Sequence, residues 1–226
     1  MNSNEYALVV AGGKGTRISS NAPKQFLELN GLPVLMHTIL AFDQYSKDIT
    51  IILVLPEDDL QLWQSLCLKH KFTRPLILQN GGPTRFQSVK KGLEKIEGDG
   101  LVAIHDGVRP LVNQEIIATS FRLAAVHQSA IAAVPLKESI RQIDGDSSKA
   151  VDRSKYRLIQ TPQTFRVSLI KKAYEMQEDL NLTDDASVAE NSGHVICLFQ
   201  GNYENIKITT TEDLIIAEAL LRARQG

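Results

Sequence analysis

Cysteine is almost absent from this chain: 226 residues hold only Cys67 and Cys197. Two cysteines so far apart match neither a disulfide framework nor a metal or redox spacing. Both stand in apolar runs, so they read as packed thiols of a reducing compartment. A bulk charge of either sign is also missing, with 25 Lys+Arg against 26 Asp+Glu. Nucleic acid held through its phosphates needs a basic field, so an anionic ligand must be met here by local clusters. The first residues, "MNSNEYALVV", lack a basic stretch, and their apolar run is too short for a signal peptide or a membrane helix. A cytoplasmic protein is expected. There is no internal repeat, no low-complexity segment and no linker, so one domain over 1–226 is expected.

What is present is a rhythm. Short runs rich in Val, Ile and Leu recur at 6–11, 49–55, 75–80, 101–105 and 130–136. Each is apolar throughout, as in strands buried on both faces of a mainly parallel sheet. Amphipathic stretches at 33–44, 58–70, 85–96 and 114–128 alternate with them. Asp58, Thr84 and Asn113 stand where N-caps belong, and Pro33 suits a first helical turn. The alternation predicts an α/β fold, a Rossmann-like, mainly parallel twisted sheet with helices on both faces. Near residue 137 the pattern becomes polar and alternating around "DGD", which predicts a protruding β-hairpin arm over about 137–157. Beyond it, 167–180 and a shorter stretch ending at Gly193 read as helices, 194–200 and 204–210 as strands, and 211–224 as a closing helix.

The segment "AGGKGTR" (11–17) follows the first strand, and with Lys24 it is basic and free of acids. It is not the dinucleotide fingerprint, because a G-x-G-x-x-G begun at Gly13 ends on Ile18. The Walker pattern fails as well. A glycine loop after a buried strand can still turn successive backbone N–H groups toward an anion, and Arg17 and Lys24 add charge-assisted contacts to phosphate. The competing reading is a solvated turn. Ligands of open α/β sheets sit beyond the carboxyl ends of the strands, where "GGPTRFQS" (81–88) and "HDGVRP" (105–110) also begin. Gly81 and Gly82 admit a base or ribose, Arg85 and Ser88 face the same crevice, and Asp106 suits a Mg²⁺ ion carrying triphosphate oxygens. His105 reads as a packing residue.

In order along the chain stand "AGGKGTR" with "PKQF", "GG" with "RFQSV", "HDGVRP", "VDR", "TPQTF", "TDDASVAE" and "NIKITTTEDL". Together they resemble the 2-C-methyl-D-erythritol 4-phosphate cytidylyltransferases of non-mevalonate isoprenoid biosynthesis. The resemblance implies a homodimer joined through the arm, and a transfer from CTP to methylerythritol phosphate with release of pyrophosphate. It assigns Arg17 and Lys24 to transition-state stabilisation, and Arg153 and Lys207 to holding the methylerythritol phosphate. Ala11, Gly12, Gly13, Gly15, Gly82, Arg85 and Ser88 match the nucleotide-binding segments. Asp106 falls in the acidic motif near metal and substrates, and Arg109, Ser139 and Thr161 fall where the second substrate is met. Pro83 stands where an acidic residue is common, and Gly107 where alanine is usual. A ribitol 5-phosphate cytidylyltransferase shares several of these motifs, although "TDDASVAE" is closer to the methylerythritol enzymes. A non-catalytic nucleotide sensor would need no such pair as Arg17 and Lys24.

Overall fold

The computed structural model describes residues 4–12 and 23–224. The first half runs β1 (Glu5–Val10), β2 (Glu28–Leu29), β3 (Leu32–Pro33), α1 (Val34–Tyr45), β4 (Thr50–Leu55), α2 (Leu60–Lys69), β5 (Ile77–Asn80) and α3 (Arg85–Leu93). Next come β6 (Leu101–Asp106), α4 (Gln114–His127), β7 (Ser129–Pro135), β8 (Arg141–Asp144), β9 (Ser147–Ala150) and β10 (Arg157–Arg166). The chain ends through α5 (Val167–Ala173), α6 (Asp185–Asn191), β11 (Leu198–Gln200) and α7 (Thr211–Ala223).

Seven strands form one sheet in the order β11-β7-β10-β6-β1-β4-β5. Its ladders are parallel except those of β10, which runs antiparallel to both β6 and β7. The apolar runs of β1, β4 and β6 are buried because helices cover both faces. One face packs Leu35, Phe42, Trp63 and Phe121 of α1, α2 and α4, and the other packs Val89, Ile170, Tyr174 and Val188 around α3, α5 and α6. Parallel register pairs Val10 with Asp106, so both strands end together. Gly81 follows β5 at the same edge, and β10 begins there because it runs the other way.

Thr84 and Asn113 cap their helices through Gln87 N–H and Ile116 N–H. Asp58 does not cap. A 3₁₀ turn over Glu57–Asp59 precedes α2, and Asp59 gives its carboxylate to Gln25 instead. Pro33 precedes α1 rather than opening it, since with Leu32 it forms β3. Strand β5 is largely exposed because it is the sheet's edge. Helix α5 stops at Ala173, where Tyr174 turns inward against Phe86. The expected strand over 194–200 shortens to Leu198–Gln200, and that over 204–210 is a loop. Its alternating Ile206 and Ile208 are satisfied by packing on Leu29, Val34 and Val108, not by a ladder.

The arm is a separate two-stranded sheet, with Arg141 opposite Ala150 and Asp144 opposite Ser147. Gly145 opens its turn at φ 54°, a left-handed conformation that glycine adopts without a Cβ penalty. Every residue of β8 and β9 is exposed. Both cysteines are free thiols and partly buried. Among the described residues no helix is long and apolar enough to cross a membrane.

Candidate active site

Asp106 ends β6 and is 7% exposed. Buried carboxylates need partners, and three cations surround this one. Arg109 Nε and Lys207 Nζ approach its Oδ2 at 3.0 and 3.1 Å. Arg85 Nε lies 3.9 Å from Oδ1. Burial alone would raise the Asp106 pKa, but Lys207, Arg85 and Arg109 outweigh it and hold the group well below the usual carboxylate range. Its backbone N–H donates to Thr161 Oγ1 at 3.1 Å, which ties β6 to β10 at the site.

Each cation arrives differently. Arg109 lies in the turn after β6, and its Nη1 donates to the Asn205 carbonyl at 2.8 Å. Asn205 is fully buried and donates to the Thr161 carbonyl, so the loop carrying Lys207 is fastened to the same strand. Arg85 opens α3, and its Nη1 and Nη2 grip Asp185 at 2.8 and 2.7 Å. Burial opposes the charge on Arg85, but Asp185 and Asp106 keep it firmly protonated. His105 is fully buried beside Asp106, with its ring edge-on to Phe42. Burial pushes its pKa down to about 4, against the opposing pull of Asp106.

Two cavities meet at this cluster. A smaller one, of about 210 Å³, is lined by Ala11, Gly12, Lys24, Gln25, Thr84 and Ser88 among others. A larger one, of about 530 Å³, is lined by Arg109, Ile159, Thr161, Gln163, Asp184 and Leu198 among others. Arg85, Asp106 and Lys207 stand in both walls. Gly82 lies beside the smaller cavity, where its N–H donates to Ser88 Oγ at 3.0 Å. A Cβ on Gly82 would come within 2.4 Å of Gln87 Cβ, so the approach of the loop to α3 requires glycine.

The expected residues thus divide. Ala11, Gly12, Lys24, Arg85, Ser88, Asp106, Arg109, Thr161 and Lys207 gather around the two cavities. Gly13, Gly15 and Arg17 lie outside the described residues. Ser139 and Arg153 are exposed near the arm and line neither cavity. The Arg153 guanidinium donates to the Lys137 carbonyl at the arm's root. Sequence reasoning assigned no role to Asp185, Tyr174, Gln163 or Asn205. Gln163 stands in "TPQTF" and Asn205 opens "NIKITTTEDL", and the signal for Asp185 is the acidic doublet in "TDDASVAE". Its first member, Asp184, forms a capping box on α6, while the second is fully buried.

Among the described residues no group of three or more His, Cys, Asp or Glu side chains could hold a metal ion. Mg²⁺ asks for less, since one carboxylate plus substrate phosphates and water is its common setting. Asp106 fits that setting through Oδ1, which Arg85 Nε approaches only to 3.9 Å, whereas Oδ2 is in close contact with Arg109 and Lys207.

The sequence profile of the 2-C-methyl-D-erythritol 4-phosphate cytidylyltransferase family (IspD) matches residues 6–223. A relative from Bacteroides fragilis bearing that name is 48% identical over 215 residues, covering 95% of this chain and 98% of the relative. One from Bacillus pumilus with the same name is 37% identical, over 98% of this chain and 99% of the relative. The crystal structure of 4-diphosphocytidyl-2C-methyl-D-erythritol synthase from Anaerococcus prevotii superposes with a TM-score of 0.83 at 30% identity, covering 97% and 99% of the two chains. The chain belongs to the 2-C-methyl-D-erythritol 4-phosphate cytidylyltransferase family.

Proposed function

We propose that this protein transfers the cytidylyl group of CTP to 2-C-methyl-D-erythritol 4-phosphate, yielding the diphosphocytidyl product and pyrophosphate. A phosphate oxygen of the second substrate forms a bond to the α-phosphorus of CTP, and the bond from that phosphorus to the bridging oxygen breaks. The observation that carries this reading is the shared wall: two cavities adjoin where Arg85, Asp106 and Lys207 converge. CTP takes the smaller cavity, beside Ala11 and Gly12, and the polyol phosphate the larger.

A phosphate monoester is already anionic near neutral pH, so the reaction needs no general base. Its obstacle is the approach of two polyanions, and fixed cations lower that barrier when they meet charge developing in the transition state. We assign Arg17 and Lys24 to the α-phosphoryl centre and the departing pyrophosphate, and Lys207 to the attacking phosphate. Thr161 and Arg109 border the second cavity and hold its ligand in line, an effect of position. Mg²⁺ held through Asp106 would neutralise triphosphate oxygens.

We further infer a homodimer. A two-stranded hairpin is marginal in water when nothing covers it. The arm also exposes Ile143, and Tyr156 and Leu158 lie exposed on the return strand's approach. Pairing with a second copy buries these residues and carries Arg153 and Ser139 toward the partner's larger cavity. The free thiols agree with a cytoplasmic setting. The test is pyrophosphate release from CTP with Mg²⁺ and each polyol phosphate. Turnover is expected with methylerythritol phosphate. Equal or faster turnover with ribitol 5-phosphate moves the assignment to that substrate, and CTP binding without any turnover ends the catalytic reading.

A further inference from the structure

We propose that Asp185 is a positioning residue for the transfer, acting through Arg85 to hold the junction of the two cavities in register. Asp185 is the first residue of α6 and is fully buried. Its Oδ1 accepts from Arg85 Nη1 at 2.8 Å and from the Tyr174 hydroxyl at 2.6 Å, while Oδ2 accepts from Arg85 Nη2 at 2.7 Å. Both ends of the guanidinium fork are thereby engaged, and only its Nε edge faces Asp106. A bidentate fork sets angle as well as distance. Tyr174 is held in turn by Phe86, the neighbour of Arg85, at 4.6 Å between ring centroids.

The placement of these residues ties the clamp to the site. The first turn of α3, with Thr84, Arg85 and Ser88, walls the smaller cavity. The first turn of α6, flanked by Asp184 and Ala186, walls the larger one. Asp185 and Arg85 join those two turns, and Arg85 stands in both walls. Asp185 therefore limits how far Arg85 leans toward Asp106. Without that restraint the guanidinium closes its 3.9 Å gap to Oδ1 and competes with Lys207 and Arg109 for the carboxylate. Stability alone is a weak reason for such a pair, since apolar packing often serves a buried site as well.

The proposal rests on the reaction assigned above, so the parent's turnover is measured first. Asp185→Asn keeps the shape and removes the charge. Its kcat is expected to fall about 10- to 100-fold, the scale of an ångström-sized misplacement, while the CTP dissociation constant, taken without the second substrate, stays within about threefold. In an Arg85→Gln background the same change is expected to cost less than about threefold in kcat, because a residue acting through another loses its effect when that other is gone. Tyr174→Phe keeps the ion pair and removes one hydrogen bond. It carries the test if the charge variants do not fold, and its kcat is expected to fall about three- to tenfold. Equal losses in both backgrounds, CTP affinity falling in step with kcat, or an unchanged kcat in Tyr174→Phe would each overturn the proposal. A parent without turnover ends the reaction assignment and the proposal together, whereas an active parent with unaffected variants ends the proposal alone.

Discussion

Gly107 follows Asp106 directly, and its replacement by alanine tests how tightly the site's floor is built. A Cβ there would lie 2.7 Å from Ala11 Cβ, 3.0 Å from Leu35 Cδ1 and 3.3 Å from Ala11 Cα. Leu35 can rotate, but Ala11 is rooted in the backbone at the end of β1. Ordinary contact begins at 3.4 Å, so the two segments must part by about 0.7 Å. Gly107 N–H donates to the Val10 carbonyl at 2.8 Å, and the same parting stretches that bond to the limit of hydrogen-bond geometry. Overpacking of this kind costs roughly 1–3 kcal/mol, and weakening a buried backbone bond adds to it. A loss of about 2–3 kcal/mol is expected, or roughly 4–12 °C in Tm for a chain of this size. Urea unfolding of Gly107→Ala, Ala11→Gly and the double variant measures it. Because the clash is Cβ against Cβ, the double variant should recover to within about 1 kcal/mol of the parent, after allowing for the separate cost of Ala11→Gly. Strictly additive losses would show that the two positions do not press on each other, and the packing account would fail.

Lys24→Ala should lower kcat on the order of 10²–10³-fold, the usual cost of one preorganised transition-state charge, with CTP affinity little changed; kcat within about threefold of the parent contradicts the catalytic assignment. His105 has a pKa pushed down by burial to about 4, below the ~6.5 of an unfolded histidine. The unfolded chain therefore takes up the proton first, and stability should fall as pH drops from about 6.5 to 4, by up to ~1.4 kcal/mol per pH unit from this residue. Denaturant unfolding across that window should show a shallower slope in His105→Asn than in the parent, and equal slopes would refute it. Arg153→Ala and Lys24→Ala homodimers should each be nearly inactive, yet random subunit exchange should restore roughly a quarter of parental activity, since about half the dimers are mixed and each has one good site. Demonstrated exchange with no recovery places Arg153 within its own chain.

The sheet was readable because its strands are buried on both faces and therefore apolar without interruption, as in β4. The same rule failed at β5, where the apolar start of "PLILQN" reads as a buried strand yet lies at the exposed edge, and its closing Gln79 and Asn80 are the sequence's mark of that position. The loop over 204–210 failed for a related reason. Its alternating isoleucines have the period of a strand, but that period records only which side chains are inward, and here they face α7 and the start of α1. The arm was legible because its alternation has no apolar face to bury. At the site, Asp106 and Lys207 could be named from motifs, but their contact joins residues a hundred positions apart, and no local spacing encodes it. Asp185 stayed hidden beside Asp184, since two adjacent aspartates at a helix start both look like caps until burial separates them.

That separation extends to the cations. Among the described residues, Arg85, Arg109 and Lys207 pair with the carboxylates of Asp106 and Asp185 at the junction. The side chain of Arg109 is 10% exposed and that of Arg85 30%, and each is tied to a carboxylate and to a second partner or element. The side chain of Lys207 is 41% exposed, and its Nζ lies 3.1 Å from Asp106 Oδ2. The division follows the chemistry of the two groups. A rigid planar fork holds a fixed partner well, whereas an ammonium on a flexible stem can follow a phosphate as it moves into line. A phosphate entering either cavity meets Lys207 without first breaking the frame that Arg85 and Arg109 maintain. Exchange of arginine for lysine should therefore be harmful at the two framed positions for geometric reasons, while at position 207 the longer, stiffer fork would be drawn into Asp106 and lose the mobility the site uses.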